Sequence, residues 1–284
     1  MATHLDPAAI QRTLRDAGLR ARHSRSQNFL VDVDVLEAIL GEAAAGQGGR
    51  VLEIGPGLGI LTGGLLEAGA EVTAVEIDRG LAALLEDRFA EEISSGRLAL
   101  VEGDALDQDL VGLVSPPYDV VANLPYHITS PILHRLLGQP PRPGRLVVMV
   151  QREVAERIAA APGQMSYLSV FVQYHARVRI ARRVGREAFE PAPAVESAVL
   201  VLEPYPADDR LSTDEEESLW RLVQAAFRER RKMIHNVLAR QLPIEPNDVN
   251  AALERAEIAP DRRPQTFAVG EWLRLREELA GALG

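Results

Sequence analysis

Apolar residues in the middle of this chain fall in short runs separated by amphipathic stretches. Between Arg50 and Leu202, the runs at 51–54, 71–76, 98–102, 120–122, 146–150, 177–184 and 197–202 predict seven strands. Helical patterns fill most of the intervals, the alternation of an α/β sheet whose parallel strands are covered on both faces. Between the last two strands there is no helical stretch, only the loop 189–193, and a strand that returns without a crossover pairs antiparallel. Ahead of the sheet, residues 6–22 read as a helix with Ile10, Leu14 and Ala17 or Gly18 on one face, and a second helix follows from about 34 to 45. Pro204, Pro206, Asp208 and Asp209 break the composition, and beyond them 213–229, 231–241, 246–256 and 269–280 read as helices. Two domains are expected, 1–204 built on the sheet with its N-terminal helices, and a small helical domain at 205–284.

Composition narrows the chemistry. No apolar run approaches the ~20 residues that cross a bilayer, and the N-terminus, with Asp6 and Asp16 among its arginines, has no secretory core. A cytoplasmic protein without a membrane partner is expected. The 284-residue chain has no cysteine, which excludes disulfides, thiolate metal sites and any Cys nucleophile. His127 and His134 lie seven apart without carboxylates at ligand spacing, so no metal is expected. The net charge of -10 is unevenly spread: residues 31–110 hold 17 acids and 4 bases, whereas residues 1–30 hold 5 bases and 2 acids, and residues 141–190 hold 9 and 4.

The acidic block contains a candidate cofactor site. Val51 to Gly59 reads as a strand, a glycine turn and a helix start, where Gly55 and Gly57 let backbone approach a ligand and the helix offers free N–H groups. A dinucleotide motif needs glycine where Ile60 stands, so NAD is disfavoured. Glu76 ends the second strand, placed to reach the hydroxyls of a ribose. Asp104 follows the third strand, where a carboxylate can accept from an adenine amino group. Together these positions favour S-adenosylmethionine, whose sulfonium and ammonium suit acidic surroundings, and seven strands with an antiparallel end fit a class I methyltransferase sheet.

At the end of the fourth strand stands Asn123-Leu124-Pro125-Tyr126. This group suits methylation of a flat amine such as adenine N6, whose lone pair is delocalised into the ring. An Asn oxygen and a backbone carbonyl, expected to be that of Pro125, can accept its two N–H bonds and favour a tetrahedral nitrogen. Tyr126 offers a stacking face. A plain turn is the alternative, since Asn and Pro are common turn formers.

With these residues in place the chain resembles the ribosomal RNA adenine N6,N6-dimethyltransferases, most of all the bacterial small-subunit group linked to kasugamycin sensitivity. The resemblance runs from about Ser24 to Leu275 and takes in Gln27–Leu30, the glycine turn, residues 123–131, Gln151–Ile158, Leu168–Val170, Phe189–Ser197, Phe227–Lys232 with Asn236 and Leu238, and Arg262–Pro264. Two departures are Ser26, where a glycine usually precedes the Gln-Asn-Phe-Leu motif, and Ser166-Tyr167-Leu168 in place of Tyr-Gly-x-Leu. The resemblance implies that Asn28, Leu30, Gly55, Glu76, Asp104 and Asn123 touch the cofactor and that Tyr126 and Phe189 sandwich a flipped adenine. It further implies as substrate two adjacent adenosines of a hairpin loop near the 3′ end of 16S rRNA, within the small ribosomal subunit, with a role in its biogenesis. A monomer is the expected state.

Arg228, Arg230, Arg231 and Lys232 place four positive charges in five residues. On a continuous helix Arg228, Arg231 and Lys232 would share one face, with Phe227 and Ile234 anchoring another, and such a face is expected to meet rRNA phosphates. A solvated helix face is the ordinary alternative. Three other functions stand beside the main reading: the large-subunit enzyme of macrolide resistance, a DNA adenine methyltransferase, and an RNA-binding assembly factor without turnover. The DNA enzyme lacks an evident DNA-reading domain, and the set Glu76, Asp104, Asn123 and Tyr126 argues against lost catalysis.

Overall fold

The computed structural model describes residues 6–20, 27–43, 46, 48–206 and 210–283. Ser24, Ser26, Asp208, Asp209 and the predicted helix ends at 21–22 and 44–45 lie outside the described residues. In chain order the elements up to Pro204 are α1 (Pro7–Asp16), β1 (Phe29–Leu30), α2 (Val33–Ala43), β2 (Arg50–Ile54), α3 (Ile60–Glu67), β3 (Glu71–Glu76), α4 (Arg79–Arg88) and α5 (Ala90–Ser94). They continue with β4 (Leu98–Glu102), β5 (Asp119–Asn123), α6 (Thr129–Gly138), β6 (Leu146–Gln151), α7 (Arg152–Ile158), α8 (Tyr167–His175), β7 (Ala176–Val184), β8 (Phe189–Glu190) and β9 (Ser197–Pro204).

Seven strands form one sheet in the order β4-β3-β2-β5-β6-β9-β7. The pairs from β4 to β6 are parallel, and β9 runs antiparallel to β6 with Leu146 opposite Leu202. Central strands of such a sheet are covered on both faces, so Val51, Leu52, Val120, Val121, Leu146 and Val148 are all buried and the strands show no alternation. Strand order reverses between β2 and β5, and the carboxyl ends of strands at such a reversal open a crevice for ligands. One pairing had no signal in the sequence. β1 and β8 form a two-stranded antiparallel ribbon, Phe29 opposite Glu190 and Leu30 opposite Phe189. It joins segments about 160 residues apart at the mouth of that crevice.

The chain separates into two compact units, Met1–Ala155 with Arg177–Pro204, and Glu156–Ala176 with Tyr205–Gly284. These units differ from the expected 1–204 and 205–284 in the placement of Glu156–Ala176. Residues of α8 supply part of the second unit's core: Phe171 and Tyr174 lie against Trp220, and the His175 ring stacks on Trp220 at 5.6 Å. That core continues through α9 (Thr213–Arg228), α10 (Ile234–Gln241), α11 (Pro246–Arg255) and α12 (Val269–Glu278), around Trp272 and Phe267, and α13 (Ala280–Leu283) follows. Helix α9 starts at a capping box in which the Ser212 amide and hydroxyl donate to Glu215, which also pairs with Arg276 at 2.9 Å.

No helix among the described residues is long and apolar enough to cross a membrane.

Candidate active site

Four loops at the carboxyl ends of β2, β3, β4 and β5 carry most of the residues singled out in the sequence. After β2 the backbone turns through Gly55, Gly57 and Gly59 at φ 71, 61 and 75, the left-handed region that glycine enters without strain. Gly57 has a second reason to be glycine, because a Cβ there would meet the Phe29 ring at 3.2 Å. Its N–H donates to Glu76 Oε2 at 3.1 Å, while the Asp78 N–H donates to Oε1 at 2.8 Å. Glu76 is thereby fixed across the glycine turn. Burial raises its pKa, and the backbone donors of Asp78 and Gly57 oppose that rise by favouring the carboxylate.

A cleft of about 900 Å³, open to solvent, collects Asn28, Leu30, Gly55, Glu76, Asn123, Pro125, Tyr126 and Phe189 in its walls. Asp104 is not in this wall. It lines an adjoining pocket, open to solvent, that shares Gly55, Ile77 and Pro125 with the first, and one of its oxygens accepts from the Leu106 N–H at 2.8 Å. Ile77 lines both cavities and is 46% exposed, an apolar face beside the Glu76 carboxylate that the sequence reading missed. An apolar residue directly after a strand-end acid was its only signal.

Asn123 ends β5, and its Nδ2 donates to the Asn28 carbonyl at 3.4 Å, which leaves Oδ1 as the acceptor the side chain offers. Tyr126 is half-buried; its hydroxyl bonds Ser197 Oγ at 3.0 Å, a partner not anticipated from sequence, and burial raises its pKa. Phe189 has both characters considered for it: it is buried within the main apolar core and also lines the cleft. The Pro125 carbonyl is engaged within the chain. That oxygen already accepts from the Ile128 N–H at 3.1 Å and from Thr129 Oγ1 at 3.4 Å, bonds that start α6. Among the described residues no hydrogen bond reaches the preceding carbonyl, of Leu124, whose N–H is tied to Met149 at 3.0 Å.

Glu53 is a further group in the wall. It is 1% exposed, accepts from Thr62 Oγ1 at 2.7 Å, and burial raises its pKa to about 8. The Glu76 carboxylate, beside a glycine cradle and the apolar Ile77, forms a set suited to a cationic nucleoside, and S-adenosylmethionine fits. Bound there, it would supply an electrophilic methyl on a sulfonium. Replacing Glu76 with Ala is expected to weaken cofactor binding by about 1.5–3 kcal/mol for each lost charge-assisted bond to the ribose. Unchanged affinity in calorimetry would remove Glu76 from the site.

The basic tail departs from its expected form. α9 stops at Arg228, and Arg230, Arg231 and Lys232 occupy the turn before α10, all exposed, so no continuous helix sets Arg228, Arg231 and Lys232 on one face. Arg228 donates to Gln241 Oε1 at 3.2 Å. Phe227 and Ile234 do pack into the core of the second unit.

The sequence model of the family described as ribosomal RNA adenine dimethylase matches residues 18–281. The protein of Moorella thermoacetica called ribosomal RNA small subunit methyltransferase A is 41% identical, over 96% of this chain and 97% of its own length. The protein of the same name from Geobacter sulfurreducens is 40% identical, over 95% and 99%. Among solved structures, a dimethyladenosine transferase from Plasmodium falciparum is 26% identical with a TM-score of 0.76, covering 89% of this chain and 98% of its own. The 23S rRNA methyltransferase ErmE is 29% identical with a TM-score of 0.71, covering 89% and 100%. Matched along nearly its whole length, with Glu76, the glycine turn and Asn123–Tyr126 gathered at the carboxyl ends of neighbouring strands, this chain belongs to the ribosomal RNA adenine dimethylase family.

Proposed function

We propose that this protein transfers methyl groups from S-adenosylmethionine to N6 of two adjacent adenosines in a hairpin loop near the 3′ end of 16S rRNA. It does so within the small ribosomal subunit, as a monomer in the cytoplasm and as a step of subunit biogenesis. The observation that carries the reading is Asn123-Leu124-Pro125-Tyr126 at the end of β5, in the wall of a cleft that also holds Glu76, Gly55 and Phe189. Relatives about 40% identical over their full length, named for the small subunit, favour it over the large-subunit alternative.

In this reading Asn123 Oδ1 and the Leu124 carbonyl accept the two N–H bonds of the target amine. Pro125 contributes by fixing φ and by lacking an N–H that would compete for these acceptors. Positive charge grows on the nitrogen as the bond to carbon forms, so both acceptors bind the transition state more tightly than the ground state. The leaving group is neutral and the amine sheds its proton after attack, so positioning carries the rate and no strong base is required. The monomethylated amine keeps one N–H, and the second transfer therefore engages one acceptor. Tyr126 and Phe189 offer ring faces to a flipped base, worth about 1–3 kcal/mol each, against an unstacking cost of a few kcal/mol. Loop adenines, already partly unstacked, are the economical target.

The test is methyl transfer to small subunits lacking the modification, with the labelled nucleotides mapped. Label on two adjacent adenosines near the 3′ end is the expected result, and small subunits left unlabelled, or labelled only elsewhere, would sink the proposal. The tail is assigned to docking on rRNA phosphates. Arg228→Gln with Arg231→Gln is expected to weaken subunit binding and reduce its salt slope by about 1 for each lost contact, leaving cofactor affinity intact. Wild-type binding across a salt titration would make the cluster structural.

A further inference from the structure

Ser197 is a polar residue at the head of an apolar strand. β9 begins Ser197-Ala198-Val199-Leu200-Val201-Leu202, and all six residues are buried. Alternate residues of a strand face the same side. Ser197 therefore shares a side with Val199 and Val201, which belong to one apolar cluster with Leu30, Met149 and Phe189. Met149 and Phe189 also line the cleft. A hydroxyl on that side is costly to bury unless it is hydrogen-bonded. Its partner is the Tyr126 hydroxyl, at 3.0 Å.

The bond constrains the tyrosine ring. The phenol oxygen lies on the long axis of the ring, about which its face turns. The backbone holds one end of that axis through Cβ and Ser197 holds the other, so the axis has one direction. Ser197 is itself braced. It stands opposite Gln151 in the β6–β9 pair, and next to it the Glu196 carbonyl accepts from the Arg152 N–H at 2.9 Å. The loop from Phe189 to Ser197 is tied at its middle, where Arg186 Nε donates to the Pro193 carbonyl at 2.7 Å. The Tyr126 ring is thus fastened to one end of the segment whose other end carries Phe189.

We propose that Ser197 is a positioning residue for the target base: by holding the Tyr126 hydroxyl it fixes that ring relative to Phe189, so the gap between the two is set before an adenine enters. The inference rests on the rRNA adenine reading above and deepens it by naming what holds one wall of the base site. A ring released at its hydroxyl end swings about Cβ among staggered rotamers. Only the fraction of complexes with its face against the base then goes on to methyl transfer. The rival explanation is that two buried hydroxyls satisfy each other and nothing more, which bears on stability and not on rate.

The experiment is a double-mutant cycle of S197A and Y126F, read by methyl transfer to undermethylated small subunits at saturating cofactor. Y126F keeps the ring face and loses only the hydroxyl. Each single variant is expected to lose about three- to tenfold in kcat, the worth of one hydrogen bond, while KM for subunits and cofactor affinity in calorimetry stay at wild-type values. The double variant falls no further than the slower single one, because both changes remove the same bond. Ser197→Thr, which keeps the hydroxyl, recovers most of the rate. A wild-type kcat in either single variant, or losses that multiply in the double variant, overturns the proposal. If S197A does not fold, Y126F decides alone, since it removes the bond without touching β9, and a wild-type kcat there overturns the proposal. A wild-type protein that leaves small subunits unmethylated would overturn the rRNA reading and this inference with it. Normal methylation by the wild type with unaffected variants would overturn this inference alone.

Discussion

Asn123→Ala is expected to cut methyl transfer by about 10²–10³-fold in kcat, the loss typical of removing one preorganised partner from a charge-developing transition state. The side chain ends β5, and its Nδ2 is held by the Asn28 carbonyl, so Oδ1 is oriented before any substrate arrives. That orientation requires no reorganisation during the reaction. Alanine removes the acceptor and also the tie to Asn28, which stands one residue before β1. Because Asn123 shares the cleft with the cofactor positions, a severalfold loss of cofactor affinity is expected as well, far smaller than the loss in rate. Single-turnover measurements at saturating cofactor separate the two effects. A variant within threefold of the wild-type rate would show that the Leu124 carbonyl suffices, and Asn123 would then be a structural link between β5 and the N-terminal segment.

The parts of this site that were legible in the sequence are those whose signal is local. The glycine turn, the acids at strand ends and Asn123–Tyr126 each sit directly after an apolar run, and the sheet places successive strand ends side by side, so sequence order alone brings them together. The ribbon of β1 and β8 was not legible. Two residues per strand carry no periodicity, and its pairing depends on closure between segments about 160 residues apart. The engagement of the Pro125 carbonyl was not legible either, because it is set by whether the next helix begins immediately, which the Ile128 N–H decides. In the tail, Arg228, Arg231 and Lys232 read as one helical face because they fit a helical spacing, yet the chain turns after Arg228. Helix α8 was missed as a member of the second unit, since its apolar residues say that they are buried and not against what.

Glu53 was missed for a related reason, since a central parallel strand hides both faces and one acid in Leu52-Glu53-Ile54 looks like a surface position. Its burial leads to the other large expected effect, on stability against pH. With a folded pKa of about 8 against an ordinary 4.5, Glu53 holds a proton between those values that the unfolded chain releases. The folded state then binds more protons, so stability falls as pH rises through this window. The contribution is complete below about pH 4.5 and gone above about pH 8, and its span is about 3–5 kcal/mol at 1.36 kcal/mol per unit. Glu53→Gln cannot ionise, and its amide oxygen can still accept from Thr62 Oγ1. At pH 9 the variant is therefore expected to be more stable than the wild type by that amount, with the gap closing toward pH 5. Glu76, whose charge helps to raise the Glu53 pKa, titrates in both proteins, so the comparison reads Glu53 together with that coupling. Urea unfolding of the cofactor-free proteins at pH 5, 7 and 9 measures the gap. Parallel stability curves for the two proteins would mean that Glu53 is already ionised in the folded state, stabilised by its Thr62 bond or by solvent entering through the cleft.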